Sequence, residues 1–287
     1  MKKITVPFLA GAAAGLGQTV RVLADEAGSE AETAAETAAE AASENASPTL
    51  WSQIAQNAGF VGIALAVAVA LIVLAALLEK FFCKDTKQVS PAFRVTLTAM
   101  LSALALVLML LEFPVPFAPG FYKLDFSEVP ILFVGFFLGP VAGVTSELIK
   151  NVLEVLIRGT STAFVGEFAN FVVGCSLVLP ATVIYWRKRT KKSALIGCVV
   201  GTVVIAVVGS TFNAVYLLPA FSKLYGIPMD TLIGMGTAIF RSVKGVWSFV
   251  IFCVAPLNLL KGAMVSLIVM LIYKPISRAI TPLIRKK

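Results

Sequence analysis

The chain has 287 residues, of which 58% are hydrophobic and 14% charged, with a formal net charge of +8 and no histidine. A water-soluble domain of this size cannot hide so much apolar surface, and a mean hydropathy of +0.90 makes lipid the solvent for most of the chain. The absence of histidine removes the commonest general base and metal ligand. The basic residues fall in short clusters between apolar runs, not on an aromatic-interleaved patch, which argues against a nucleic-acid partner.

Residues 1–24 read as a signal-like segment: Met1-Lys2-Lys3 gives a positive start, Ile4 to Val20 a mostly apolar stretch, and Val22-Leu23-Ala24 a small-residue cleavage pattern. Arg21 beside that site leaves an uncleaved anchor open. Residues 25–50 read as an acidic low-complexity tether, with Glu32, Glu36, Glu40 and Glu44 spaced by four. Its Ala, Glu, Thr and Ser composition cannot build a core. Six further apolar runs then approach the roughly 20 residues that cross a bilayer. They are Gln56 to Leu78 (an extra transmembrane helix, placed at 55–79), Val95 to Leu111, Val129 to Ile157, Phe168 to Trp186, Ser193 to Pro219 and Val254 to Tyr273. Gly139-Pro140 interrupts the third and predicts two short helices joined by a tight turn. Thr231 to Val254 is a weaker helical stretch broken by Arg241 and Lys244. In lipid these runs must be helices, because each segment has to satisfy its own backbone polar groups.

Three basic clusters set the expected orientation. They are Lys80, Lys84, Lys87 and Arg94; Arg187 to Lys192; and Lys274, Arg278, Arg285, Lys286 and Lys287. A turn at Gly139-Pro140 places all three on one side, the cytoplasm, together with the C-terminus and a basic tail at 281–287. Cys83, Cys175, Cys198 and Cys253 lack both metal-ligand spacing and a disulfide pattern. No Gly-Lys dipeptide occurs, so the chain has no P-loop of its own. Active movement of a solute would need an ion gradient or a motor on another chain.

Polar residues inside apolar runs are functional candidates by default. Asn258 and Lys261, three apart, share a helix face; an amide and an ammonium there suit a polar heterocycle or polyol. The structural alternative is that Lys261 snorkels to the headgroups while Asn258 caps after Pro256. Asn213 lies near the exterior end of its span. The loop Phe121 to Glu128 reads as a lid or a plain connector. Glu147, Lys150, Asn151, Glu154 and Arg158 form a stripe explained by i,i+4 ion pairs. Glu167 and Asn170 open the span after Gly159-Thr160-Ser161-Thr162, where Ser161 or Thr162 is the expected cap. Ala99 and Ala103 form a small-xxx-small pair, as do Gly135, Gly139 and Gly143, and Gly197 and Gly201.

Five motifs occur in order: Lys123-Leu-Asp-Phe-Ser-Glu-Val-Pro130, Phe137-Leu-Gly-Pro-Val-Ala-Gly143, Glu147-Leu-Ile-Lys-Asn151, Gly159-Thr-Ser-Thr with Gly166-Glu-Phe-Ala-Asn170, and Asn258-Leu-Leu-Lys-Gly262. Together they resemble the riboflavin-specific substrate-binding (S) component of energy-coupling factor (ECF) vitamin transporters, over roughly Pro91 to Ile280. The resemblance implies an all-α integral membrane protein, a six-helix vitamin-binding core at 91–280, here preceded by the extra N-terminal helix. It implies that Leu124, Asp125 and Phe126 belong to the pocket or its lid, and that Asn213, Asn258 and Lys261 are hydrogen-bonding positions, with Glu167 and Asn170 beside them. It also implies that Ala99 and Ala103 contact a transmembrane coupling subunit, and that two cytoplasmic ATPases complete a transporter whose binding protein reorients in the membrane. Riboflavin is then a transported ligand, and neither a catalytic residue nor a cofactor or metal is expected. A stand-alone secondary carrier and an S component for another vitamin are the alternative readings. An intramembrane enzyme would need a nucleophile–base pair that the sequence does not offer.

Overall fold

The computed structural model describes residues 50–83 and 89–285. The signal-like segment, most of the tether, Lys84, Lys87, Lys286 and Lys287 lie outside the described residues. The chain divides into two units, Met1–Ser52 and Gln53–Lys287. Within the first, residues 50–52 open helix α1 (Leu50–Gln56).

The second unit is a helical bundle. After α1 come α2 (Ala58–Phe82), α3 (Pro91–Leu110), α4 (Glu128–Leu138), α5 (Pro140–Arg158), α6 (Val165–Lys188) and α7 (Lys191–Phe212). Shorter helices α8 (Leu218–Tyr225), α9 (Met229–Ile239) and α10 (Val246–Phe249) follow, and then the long α11 (Ala255–Arg285). Five helical stretches are long and apolar enough to cross a membrane: Ala58–Phe82, Pro91–Leu110, Val165–Lys188, Lys191–Tyr225 and Val246–Leu283. The protein is a multi-pass membrane protein.

Local chemistry sets the ends. Ser90 accepts the Phe93 N–H at 3.3 Å and Pro91 takes the first helical position of α3, while Thr190 accepts the Ser193 N–H at 3.1 Å at the start of α7. Gly139, at φ +108°, separates α4 from α5, with Pro140 opening the new helix. The expected turn therefore forms where a positive φ is cheapest. Every residue of α4 is buried, as a helix apolar on all sides should be, and α3, α5, α6 and α11 pack around it. Close approach of α6 and α7 depends on Gly197 and Gly201, where a Cβ would run into the backbone carbonyls of Ala181 and Leu177. Gly135 and Gly143 likewise pack inside the bundle, against Thr182, Val178 and each other.

Three details depart from expectation. The loop before α4 carries a two-stranded antiparallel hairpin, β1 (Phe113–Pro114) with β2 (Lys123–Leu124), in register Phe113↔Leu124. The final span starts at Val246 and not Val254, and it continues beyond Tyr273 to Arg285. The stretch from Thr231 is instead α9, which ends at Ile239 ahead of Phe240 in an extended conformation. Finally, two helices contain a single π turn, Asn213–Leu217 and Val250–Val254. Each lies just before a proline (Pro219 and Pro256), whose missing N–H removes an ordinary i→i−4 bond. The wider bonds Leu218 N–H to Asn213 O and Ala255 N–H to Val250 O take over.

The two ends of the bundle differ. At the end away from the hairpin, Trp186 Nε1 donates to Gly135 O at 2.8 Å, the hydroxyls of Tyr185 and Tyr273 lie 3.1 Å apart, and Phe136 stacks obliquely on Tyr185. Arg94, Arg187 and Lys274 sit at this end. The hairpin end is polar, and it holds the cavity.

Candidate ligand-binding site

A cavity of about 580 Å³ opens beneath the hairpin. Met109 of α3, Tyr122 and Asp125 of the hairpin segment, and Glu154 and Arg158 of α5 line it. Glu167, Asn170 and Val173 of α6, Asn213 and Leu217 of the first π turn, and Leu257, Asn258 and Lys261 of α11 complete the wall. Six of the residues singled out from the sequence thus share one wall: Asp125, Glu167, Asn170, Asn213, Asn258 and Lys261. Leu124 and Phe126 do not line it. Leu124 is buried in the cluster of Tyr122, Ala214 and Phe249, and Phe126 packs on the central core and against Phe113.

Lys261 does not snorkel. Its Nζ is buried, 2.9 Å from Asp125 Oδ2 and 3.0 Å from Glu128 Oε1. Glu128 Oε1 is also 3.4 Å from Lys150 Nζ, which lies 2.7 Å from Glu147 Oε2 and donates to Ser127 Oγ at 3.0 Å. The stripe on α5 is therefore no row of i,i+4 pairs. Glu147 and Lys150 are an i,i+3 pair with no solvent exposure, tied to α4, and Arg158 turns instead to Glu112 at 3.3 Å. Three carboxylates thus share two ammonium groups under the cavity floor. Charges so deep in an apolar bundle persist only when paired. Burial pushes the Asp125 carboxyl up, but Lys261 and Lys150, aided by the Ser127 N–H at 2.8 Å, outweigh it and hold it below the ordinary carboxylate range.

The amides are arranged differently. Tyr122, whose hydroxyl burial keeps protonated, donates to Asn213 Oδ1 at 2.7 Å, and Asn213 Nδ2 donates to Gly209 O at 2.7 Å. Asn258 Nδ2 lies over Gly209, where any Cβ would come within 2.6 Å of it, and has no hydrogen-bond partner among the described residues. Asn170 Nδ2 donates to the weak acceptor Met109 Sδ, at 3.9 Å. Glu167 accepts from Thr162 Oγ1 at 2.8 Å. Neither Ser161 nor Thr162 is the cap residue of α6; that place is taken by Phe164, which with Ala163 has positive φ. Thr160 and Thr162 hydroxyls accept the Phe164 and Gly166 N–H groups and hold this strained loop at the cavity wall. Sequence reasoning missed Tyr122 and Glu128 as supports of the site. The Glu147-to-Asn151 motif carried the signal for Lys150, but its partners lie on another helix.

Ala99 and Ala103 are exposed on α3, in a strip with Val95, Met100, Leu104 and Val107, and so do not pack inside the bundle. Among the described residues no group of His, Cys, Asp and Glu could hold a metal ion.

Residues 93–273 match the family described as ECF transporter, substrate-specific component. The chain belongs to that family. It is 36% identical over 181 residues to the riboflavin transporter RibU of Staphylococcus aureus, covering 63% of this chain and 88% of that one. It is 32% identical to the riboflavin transporter FmnP of Bacillus subtilis, covering 63% of this chain and 90% of that one. A solved structure, described as the S component of a bacterial ECF transporter, has a TM-score of 0.52 and 36% identity, covering 67% of this chain and 99% of that one. The fold expected of an S component is therefore present, and the family is one of transporter components, not of enzymes.

Proposed function

We propose that this chain binds riboflavin at the hairpin end of the bundle and is the substrate-specific subunit of an ATP-driven ECF transporter. The observation that carries the reading is Asn258 Nδ2, without a hydrogen-bond partner among the described residues, one helical turn from Lys261, which Asp125 and Glu128 hold in place at the cavity wall. A donor set of this kind matches the carbonyl edge of a flavin, while Met109, Val173, Leu217 and Leu257 offer apolar walls to its rings. The cavity volume also falls in the range of roughly 300–1,000 Å³ usual for small-molecule sites. Asp125, Asn170, Asn213 and Glu167 supply further polar contacts for a ribityl chain. Relatives named as riboflavin transporters support the choice of ligand.

The basic end of the bundle, with Arg94, Arg187, Lys188, Lys191, Lys192, Lys274 and Arg278, faces the cytoplasm in this reading, so the cavity faces outward and the C-terminus inward. The exposed Ala99–Ala103 strip receives the transmembrane coupling subunit, and two ATPase chains supply the missing motor.

Titration of the purified protein with riboflavin tests the binding. Yellow protein with flavin absorbance and a saturable heat signal is expected; colourless, folded protein with no heat release overturns it. Uptake by vesicles that contain the chain but no coupling ATPase would point instead to a secondary carrier.

A further inference from the structure

Helix α2 lies before the region matched to the family, which begins at residue 93. It is nonetheless seated on the core along its whole length. Ala68 and Ala75, at 3% and 0% exposure, pack into one cluster with Val144 of α5 and Phe171, Cys175, Leu179 and Val183 of α6. Phe60, at one end, meets Phe168 edge-on at 5.7 Å and stacks near Tyr216 at 6.4 Å. At the other end the Arg187 guanidinium lies over the Phe82 ring at 5.0 Å. Positions 60, 68, 75 and 79 follow helical spacing on one face, with Phe82, itself 43% exposed, at its end, whereas Ile63, Leu65, Val69, Val73, Leu77 and Phe81 point away from the core.

The contact of greatest consequence is polar. Glu79 Oε2 accepts the Val141 N–H at 3.0 Å, one of the N–H groups that the start of α5 leaves without a helical partner. Gly139 gives the carboxylate its seat: a Cβ there would meet Glu79 Oε2. Glu79 Oε1 is 4.0 Å from Arg94 of α3. A glutamate on the added helix thus caps the break that divides the core, and it does so in a part of the bundle with little competing water.

We propose that α2 is a permanent seventh helix of the binding unit, latched by Glu79 at the Gly139–Pro140 break, and that it moves with the core as one body. The outer face of α5 and α6 is then closed to other proteins, and a partner must approach elsewhere, as along α3. The movement rests on the transport reading above; the docking does not.

The test uses the full chain with Phe82→Cys and Arg187→Cys in a Cys83→Ser background, in vesicles with its coupling subunits. A short bismaleimide should bridge most of the protein. Bridged protein should bind riboflavin and support ATP-driven uptake within about twofold of the unbridged chain, as rigid-body motion requires. Glu79→Ala should slow bridging roughly fivefold, and Glu79→Gln, which keeps an acceptor, should restore most of it. Poor bridging in riboflavin-binding protein would overturn the docking. Bridged protein that binds but no longer transports would show instead that α2 is a fixed anchor from which the core must part. If unbridged protein fails to bind riboflavin, the functional reading falls, and bridging yield alone still decides the docking.

Discussion

The two ends of this bundle are held by different physics. Away from the hairpin, large aromatic side chains fill the space, and their few polar atoms find single partners, as Trp186 finds Gly135 O and Tyr185 finds Tyr273. Under the hairpin, the elements are tied by buried charges: Lys150 and Lys261 join α5, α11, α4 and the hairpin segment through Glu147, Glu128 and Asp125. An aromatic core tolerates loss of one bond because packing remains. A buried ion network does not, since removing one partner leaves the others charged and unsolvated. Stability and ligand binding are therefore coupled at one end and separable at the other.

Lys150→Met should produce the largest effect, about 3–5 kcal/mol lost from stability, because Glu147 and Glu128 lose their shared cation in a fully buried site. Thermal unfolding in detergent measures it, and a loss below about 1 kcal/mol would erase the contrast between the ends. Lys261→Ala and Asn258→Ala should each weaken riboflavin binding by about 1–3 kcal/mol by leaving a ligand group unpaired, as read by titration calorimetry. Lys261→Ala should also destabilise the protein, since Asp125 loses its ion pair, whereas Asn258→Ala should not. Gly197→Ala should cost about 1–3 kcal/mol through the clash with Ala181 O while leaving riboflavin affinity unchanged. Tyr185→Phe, at the aromatic end, should cost about 1 kcal/mol, again without an effect on binding.

Acid offers a gentler probe. A carboxylate with a depressed folded-state pKa contributes stability above its unfolded pKa and loses it as pH falls through the folded value. Lys261 and Lys150 overcome the effect of burial on Asp125, so the contribution of its ion pair should stay flat from about pH 8 to about pH 5. A midpoint near pH 4 in a difference between wild type and Asp125→Asn, about the free carboxylate value, would contradict the buried pairing.

Much of this was legible in the sequence where the governing signal is local. Apolar runs of bilayer length marked the long helices, and Gly139-Pro140 marked the break because glycine and proline act on their own residue. The residues of the cavity wall were also legible, for polar side chains in greasy segments are conspicuous. Their partners were not. Glu128 and Lys150 are 22 residues apart and meet only when α4 and α5 fold back at Gly139, so the stripe on α5 looked like a row of i,i+4 pairs within one helix. The hairpin escaped notice because two residues per strand are too few for a period of two to register. Leu124 and Phe126 shared a motif with Asp125, but Leu124 belongs to the cluster of Ala214 and Phe249 and Phe126 meets Phe113, placements that a local motif does not reveal.

The two widened turns ahead of Pro219 and Pro256 have a consequence for how this wall can evolve. Each inserts one residue relative to a regular α-helix, and one residue corresponds to about 100° of rotation. Asn213 and Asn258 are thus aimed by an extra residue as much as by their own identity. Deleting a single amino acid from either turn would swing the flanking helix face through that angle and present the cavity with a different set of side chains, while the membrane-spanning length barely changed. Indels here are a route to new ligand preference that substitution tables would miss.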